Sequence, residues 1–350
     1  MRRIKLRILK RRNDTMTFRM HGGVEVVLTG SHFRSIWTWL LVCWICGGAN
    51  GDAPLPNAKP VPAMQVIPLP YDQASFQTHG VELTRYHFGA TLRRPFLFPI
   101  NGPTGRSYTR MGHPHDPITH SHHNSVWISH DNVNGHSFWA DRSDSQILHR
   151  KVIRYDDTGE TSAMVCENHW IAAGQTLLIE RRRIQVQSVG NQESLITIQL
   201  DLRSASEDPV TLGSTAFGLL GVRMAKSIGV HDGGGMIRNS EGNVDEIGPN
   251  GCFRKPARWC DYSGPVAENQ NGGILLMDHP GNPGHPTPFH VRQDGWMGTC
   301  LTLQKEIQVT QDSPLRLSYR LYVHAGALEH DELNQRWNDF SKTQLWEFEP

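Results

Sequence analysis

Hydrophobic and polar positions alternate along most of this chain. Over residues 194–202, Ile196, Ile198, Leu200 and Leu202 share one face, while Thr197, Gln199 and Asp201 share the other. A period of two is what a half-buried strand requires. Leu315, Leu317, Tyr319, Leu321 and Val323 alternate in the same way against Arg316, Ser318, Arg320, Tyr322 and His324. The pattern predicts strands over 81–88, 125–130, 146–155, 162–171, 176–188, 217–224 and 273–278, and over 299–310 with a break. Residues 94–100 are extended but interrupted by proline, and Asn134-Gly135 predicts a tight hairpin turn. Only the end reads as helix. Over 327–340, Leu333, Trp337 and Phe340 form one stripe, and Glu329, Asp331 and Glu332 stand near its start, where the helix dipole favours acids. Strands this numerous and closely spaced predict an all-β fold: a large antiparallel β-sandwich with a short C-terminal helix, in one domain over 64–350.

Composition adds a leader to that picture. The 350 residues include 33 Gly and 21 Pro, a loop-rich balance that suits a β protein. The net charge of +1 hides an asymmetry. Residues 1–35 hold nine Lys/Arg against two acids, or +7, so the remainder holds 26 against 32, or −6. A mildly acidic body speaks against a nucleic-acid partner. The basic start leads into an apolar run at 36–46 and then Gly47, Gly48, Ala49, Asn50 and Gly51. That order predicts a signal peptide over about 1–53, no transmembrane span beyond it, and a secreted or periplasmic protein. Residues 54–63, PLPNAKPVPA, predict a Pro-rich linker. Export would permit disulfides among Cys166, Cys252, Cys260 and Cys300. Cys252 and Cys260 are the easiest pair to close, and four free buried thiols are the alternative.

The candidate chemistry is concentrated in residues 113–139, HPHDPITHSHHNSVWISHDNVNGHSFW. Seven of the 19 histidines fall there. Histidine serves at neutral pH as acid, base or metal ligand. Aromatic groups beside polar ones suit a concave site that takes a flat or sugar-like ligand. Here His122, His123 and Asp131 are the catalytic candidates, with His120, Asn134 and Trp139 expected to bind substrate. The HxHH run also offers a metal site through His120, His122 and His123. A second cluster, 277–292, contains four prolines and reads as a rigid loop. From it come His279 as a catalytic candidate and His285, His290 and Arg292 as binding groups, joined by Trp296. Either His122 or His123 should meet His279, His285 or His290 in one cleft. Two weaker groups are 221–224 with 231–235, and 254–262. The run Arg181–Arg183 reads as solvated or paired on a strand, and Glu180, Asp131, Asp278 and Asp294 are all available carboxylates.

The phrases HPHDPITHSHHNSVWISHDNVNGHSFW, DHPGNPGHPTPFHVR and RLYVHAG resemble a PmoA-like family of secreted proteins, a domain of unknown function labelled after a methane oxygenase subunit. That enzyme spans the membrane several times, so its activity does not carry over. The resemblance implies a fold similar to the galactose-mutarotase-like super-sandwich, which binds sugars in a cleft lined by histidines and acids. The mutarotases' late glutamate has no counterpart here, since Glu306 lies in a different setting (LQKEIQV). The reading is a carbohydrate-active enzyme that binds a saccharide and works by His/carboxylate acid–base chemistry: hydrolysis, elimination or epimerisation. A non-catalytic glycan-binding module and a histidine-ligated, metal-dependent oxidoreductase are the alternatives.

Overall fold

The computed structural model describes residues 7–12, 15–19, 25–29 and 60–348 except 117. The apolar run of the expected leader lies outside the described residues. The chain divides into two compact units, Met1–Val61 and Pro62–Pro350. In the first, β1 (Arg7–Arg12), β2 (Thr15–Arg19) and β3 (Glu25–Thr29) form an antiparallel meander. No helix among the described residues is long and apolar enough to cross a membrane.

The second unit is built from two large antiparallel sheets. Its strands run β4 (Met64–Leu69), β5 (Gln73–Thr78), β6 (Val81–His87), β7 (Phe96–Ile100), β8 (Val126–His130), β9 (Gln146–Asp157), β10 (Thr161–Ala172), β11 (Gln175–Ser188) and β12 (Ser194–Ser204). After β13 (Val210–Leu212) and β14 (Gly218–Arg223) comes a four-residue helix, α1 (Val230–Gly233). There follow β15 (Met236–Asn239), β16 (Lys255–Pro256), β17 (Trp259–Ala267), β18 (Gln270–Asp278), β19 (Pro288–Arg292), β20 (Trp296–Thr299), β21 (Ile307–Val309), β22 (Leu315–Ala325) and α2 (His330–Ser341). One sheet has nine strands in the order β16-β19-β20-β14-β8-β7-β6-β5-β4, and the other has eight, β15-β17-β18-β22-β12-β11-β10-β9. A single apolar core takes Phe76, Tyr86 and Ile128 from the first and Met164, Ile184 and Ile198 from the second. The sheets therefore pack face to face, as the period-two pattern requires.

The alternation places these strands closely. The strand expected over 194–202 is β12, and the one over 315–323 is β22; they pair with Ile198 opposite Tyr319. The helix expected over 327–340 is α2, begun by a reciprocal capping box between Glu329 and Glu332. Asn134 and Gly135 both have positive φ, 50° and 84°, between the bridged residues Val133 and His136. That is the turn an Asn-Gly pair favours. All four cysteines outside the leader region are free and buried.

The core holds a buried ion pair. Of the two readings of the run Arg181–Arg183, solvated or paired on a strand, Arg182 takes the second: it and Glu180, at 2% and 0% exposure, pair on β11. Arg182 Nε donates to Glu180 Oε1 at 2.6 Å and Nη2 to Oε2 at 3.1 Å. Asn168 Nδ2 and Trp170 Nε1 donate to the same carboxylate at 3.0 and 2.7 Å. Arg182 Nη1 reaches Tyr86 Oη on the other sheet at 3.3 Å. The pair is thus a polar tie between the two sheets. One sequence expectation does change: the last part of 277–292 is strand β19 and not loop.

Candidate functional site

The nine-stranded sheet carries the site. β8 leaves the histidine-rich loop, β14 lies beside it, and β20 and β19 follow. Gly221 on β14 pairs with Gly298 on β20. A Cβ on Gly221 would come within 2.7 Å of the Trp296 ring, and one on Gly298 within 2.6 Å. The missing side chains let Trp296 lie down against the sheet. His123 then packs against both Trp127 and Trp296, with ring centroids at 5.6 and 5.5 Å. Trp127 itself is core, at 1% exposure.

A cleft of about 460 Å³ opens over these rings. It is lined by His113, His120, His122, His123, Asp131, Trp139, Phe217, Arg223, His290, Arg292, Asp294 and Trp296. The size suits a ligand of one or two sugar units. Of the three distant histidines expected to meet His122 or His123, His290 alone lines the cleft, and Arg292 of the same run joins it. His290 reaches the cleft because it sits on a strand beside β20, with Gly298 as its pairing partner.

His279 and His285 do not line the cleft. His279 donates from Nε2 to Thr343 O at 3.1 Å and accepts Gly281 N–H at Nδ1, so both nitrogens serve to hold the C-terminal segment. His285 bonds Asp278 at 2.8 Å and stacks on Trp337 of α2. Asp278 also accepts Asn282 Nδ2 and Thr287 N–H, which closes its loop on itself. Asn134 is likewise a turn residue, its Oδ1 accepting Thr211 N–H at 2.7 Å. The proline-rich stretch 278–287 packs against α2, through Trp337 Nε1, which donates to Asp278 O, and through His279 and His285, and does not line the cleft.

Three groups that sequence reading did not select organise the cleft. Arg223, at 0% exposure, donates from Nη1 to Asp294 Oδ1 at 2.9 Å and from Nη2 to Asp294 O at 2.7 Å. His113 Nε2 lies 2.7 Å from Asp294 Oδ2, while its Nδ1 accepts the N–H groups of His115 and Asp116. The proton is therefore on Nε2 and is donated to Asp294. Burial opposes charge on Asp294, but Arg223 and His113 outweigh it and hold its carboxyl below the usual range. Arg94 donates to the carbonyls of His122, Phe138 and Trp139 and to Asn124 and Asp141, which ties the two ends of the histidine stretch together. Arg223 and Asp294 stand in polar groups visible in the sequence. No local signal marks an arginine that will be buried.

Burial holds three of the remaining cleft histidines, His122, His123 and His290, in the neutral form at pH 7. Burial, with Arg94 nearby, pushes His122 down to about 4. Its ring stands 4.5 Å from His123 and 5.7 Å from both His120 and Trp139, centroid to centroid. Among the described residues its nitrogens have no hydrogen-bond partner. His123 is pushed far down by burial, and its buried Nδ1 is unpartnered. His120 Nδ1 donates to Asp116 at 2.9 Å, which leaves Nε2 available. His290 is held near 4 by burial and donates Nδ1–H toward Ala216 O at 3.4 Å. Asp131 accepts Ser137 Oγ at 2.6 Å. The rings of His120, His122 and His123 are close. Even so, the described His/Cys/Asp/Glu set whose ligand atoms all lie within 4.8 Å is a different one: His115, His231 and Asp232.

His130 shows what burial does to stability. It is fully buried, bonded to Thr302 Oγ1 at 2.8 Å, and pushed down to about 4. The unfolded chain binds this proton near pH 6.5 and the folded one does not, so stability must fall as pH drops from 6.5 toward 4. One group with that shift contributes about 3 kcal/mol. We expect the urea midpoint to be flat between pH 8 and 7 and to fall clearly by pH 4.5. An unchanged midpoint would mean that His130 is protonated without cost.

Several solved structures resemble this chain at low similarity. The heparan sulfate lyase HepC from Pedobacter heparinus matches with TM-score 0.37 and 9% identity, over 86% of this chain and 43% of the lyase. The heparinase III BT4657 gene product matches with TM-score 0.32 and 13% identity, over 77% of this chain and 37% of its own. A proposed mutarotase (YeaD) from Salmonella typhimurium matches with TM-score 0.35 and 10% identity, over 82% of this chain and all of its own. The chain thus spans less than half the length of HepC and of the heparinase III gene product. A comparison with curated protein sequences finds no match. The resemblance read from the motifs holds in its coarser part, a family without an assigned function. That family's model covers residues 73–338, and the chain belongs to this family of unknown function, DUF6807.

Proposed function

We propose that this protein is a carbohydrate-active enzyme that moves protons on an acidic saccharide, by elimination or epimerisation. The observation that carries the reading is the joint lining of one cleft by histidines, among them His122, His123 and His290 held neutral by burial, two arginines and three aromatic rings. Trp139, Phe217 and Trp296 offer flat apolar surface, which complements the C–H face of a sugar ring. Polar groups around them meet its hydroxyl edge. His122 is neutral at pH 7 with a free nitrogen, the state a general base requires. Arg292, half exposed and paired with Glu246 at 2.9 Å, is the group to meet a sugar carboxylate.

The base would take the proton from the carbon next to that carboxylate. In elimination the electron pair forms a C=C bond as the glycosidic oxygen leaves with a proton; in epimerisation the proton returns on the opposite face. His120, whose Nδ1–H is held by Asp116, is the candidate proton donor, and it would give the proton from Nε2 as the imidazolium. Hydrolysis ordinarily uses two carboxyl groups, one of them protonated. Here Asp294 is held ionised by Arg223, which disfavours that role and leaves Asp131 alone. The reading extends to work outside the cytoplasm, on the strength of the leader-like residues 1–53.

The test is a panel of uronic-acid oligosaccharides incubated with the protein in D₂O. Unsaturated product absorbing in the near ultraviolet reports elimination, and deuterium at the carbon beside the carboxylate reports epimerisation. Binding without either change, over long incubation, would leave a glycan-binding module and end the enzyme reading.

A further inference from the structure

The three side chains His115, His231 and Asp232 stand just outside the cleft. They come from two segments far apart in sequence and meet only in the fold. His115 Nε2 lies 2.8 and 3.1 Å from the two oxygens of Asp232, and His231 Nδ1 lies 3.5 Å from Oδ1. All three ligand atoms fall within 4.8 Å of one another. Two donor atoms on a tetrahedral zinc ion, with bonds of about 2.0–2.1 Å, stand about 3.3 Å apart. The spacing therefore needs only small rotations to close on an ion.

The backbone under these residues is held. His231 N–H donates to Gln293 O at 2.9 Å, and Val230 N–H to Tyr262 Oη at 3.1 Å. Gly233 packs so tightly that a Cβ there would lie 1.7 Å from Ser227 O. His115 N–H is fixed to His113 Nδ1, and His113 is fixed in turn by Asp294. The Asp232 side chain is 10% exposed, while the two imidazoles are 49% and 68% exposed. A shielded carboxylate under two accessible rings leaves the outer side open.

We infer that His115 Nε2, His231 Nδ1 and the Asp232 carboxylate form a binding site for a divalent transition ion of the zinc type. Two imidazoles and one carboxylate are a borderline donor set, which selects zinc over magnesium or calcium. Three protein ligands leave at least one coordination position free. The hollow beside the set, about 330 Å³, is shared with Arg292, Gln293 and Asp294, and two of these also line the cleft. An ion there adds positive charge beside Arg292 and offers an anionic group, such as a sugar carboxylate or sulfate, a second point of attachment. The inference does not rest on the proposed catalysis, because its readout is the metal alone.

The experiment is equilibrium dialysis of tag-free, chelator-stripped protein against Zn²⁺, with the metal counted. One equivalent should bind, and excess Mg²⁺ should not displace it. His231→Ala and Asp232→Asn should each weaken binding at least tenfold, while His122→Ala leaves it unchanged. His231 is exposed, so its replacement leaves the fold intact, which circular dichroism checks. The inference is overturned if no equivalent binds, if His231→Ala binds as the wild type does, or if the bound ion is lost in His122→Ala instead.

Discussion

A His122→Ala variant should turn over an acidic saccharide about 10²–10⁴-fold more slowly than the wild type, the range for removing a general base. The loss should fall on kcat more than on KM, because Trp139, Trp296, Phe217 and Arg292 remain to bind the sugar. The acid limb of the wild-type pH–rate profile should lie near 4 and not near 6.5, since burial and Arg94 push His122 down to about 4. The sign follows from the role. A base works when neutral, so the rate falls as pH drops through its folded pKa. The alanine variant should lose that limb. An unchanged rate in His122→Ala would remove His122 from the proton transfer, and a limb at 6.5 would assign the chemistry to a solvated histidine.

The second large effect is on stability. Glu180→Gln should destabilise the fold by about 3–5 kcal/mol, the usual consequence of stranding one partner of a buried ion pair. Four donors converge on the Glu180 carboxylate, from Arg182 Nε and Nη2, Asn168 Nδ2 and Trp170 Nε1. A glutamine turns one accepting oxygen into an NH₂ group that faces donors, and leaves Arg182 charged in the core. Domains are stable by only about 5–15 kcal/mol, so the urea midpoint should fall steeply. The double variant Glu180→Leu with Arg182→Met removes both charges and should lose much less than the single one. If the two lose equally, packing and not the stranded charge sets the cost.

Strands and helix were legible because their signal is local. Burying one face of β12 or β22 requires every second residue to be apolar, and that is written directly in the residues. The Asn134-Gly135 turn was legible for the same reason, since few residue pairs accept positive φ twice in succession. Half of the site was legible too. His120, His122, His123, Trp139 and Asp131 lie in one stretch, and clustering of titratable groups without a packing reason marks a site.

What the residues could not tell was which distant groups would join them. His279, His285 and His290 look alike in sequence, within one proline-rich run. Their fates differ because His290 falls on β19, beside β20 and the cleft, while His279 and His285 fall before it, against Thr343 and Trp337. Likewise, Glu180 and Asp294 were equal candidates. One became a core tie on β11 and the other, in the turn between β19 and β20, the anchor of Arg223 and His113. Period and composition alone determined an all-β sandwich and a histidine-rich loop with a capacity for acid–base chemistry. Strand order and register decided which charges are buried, which imidazoles are neutral, and that His115, His231 and Asp232 meet at all. Burial and proximity are properties of pairs of segments, and no single segment encodes them.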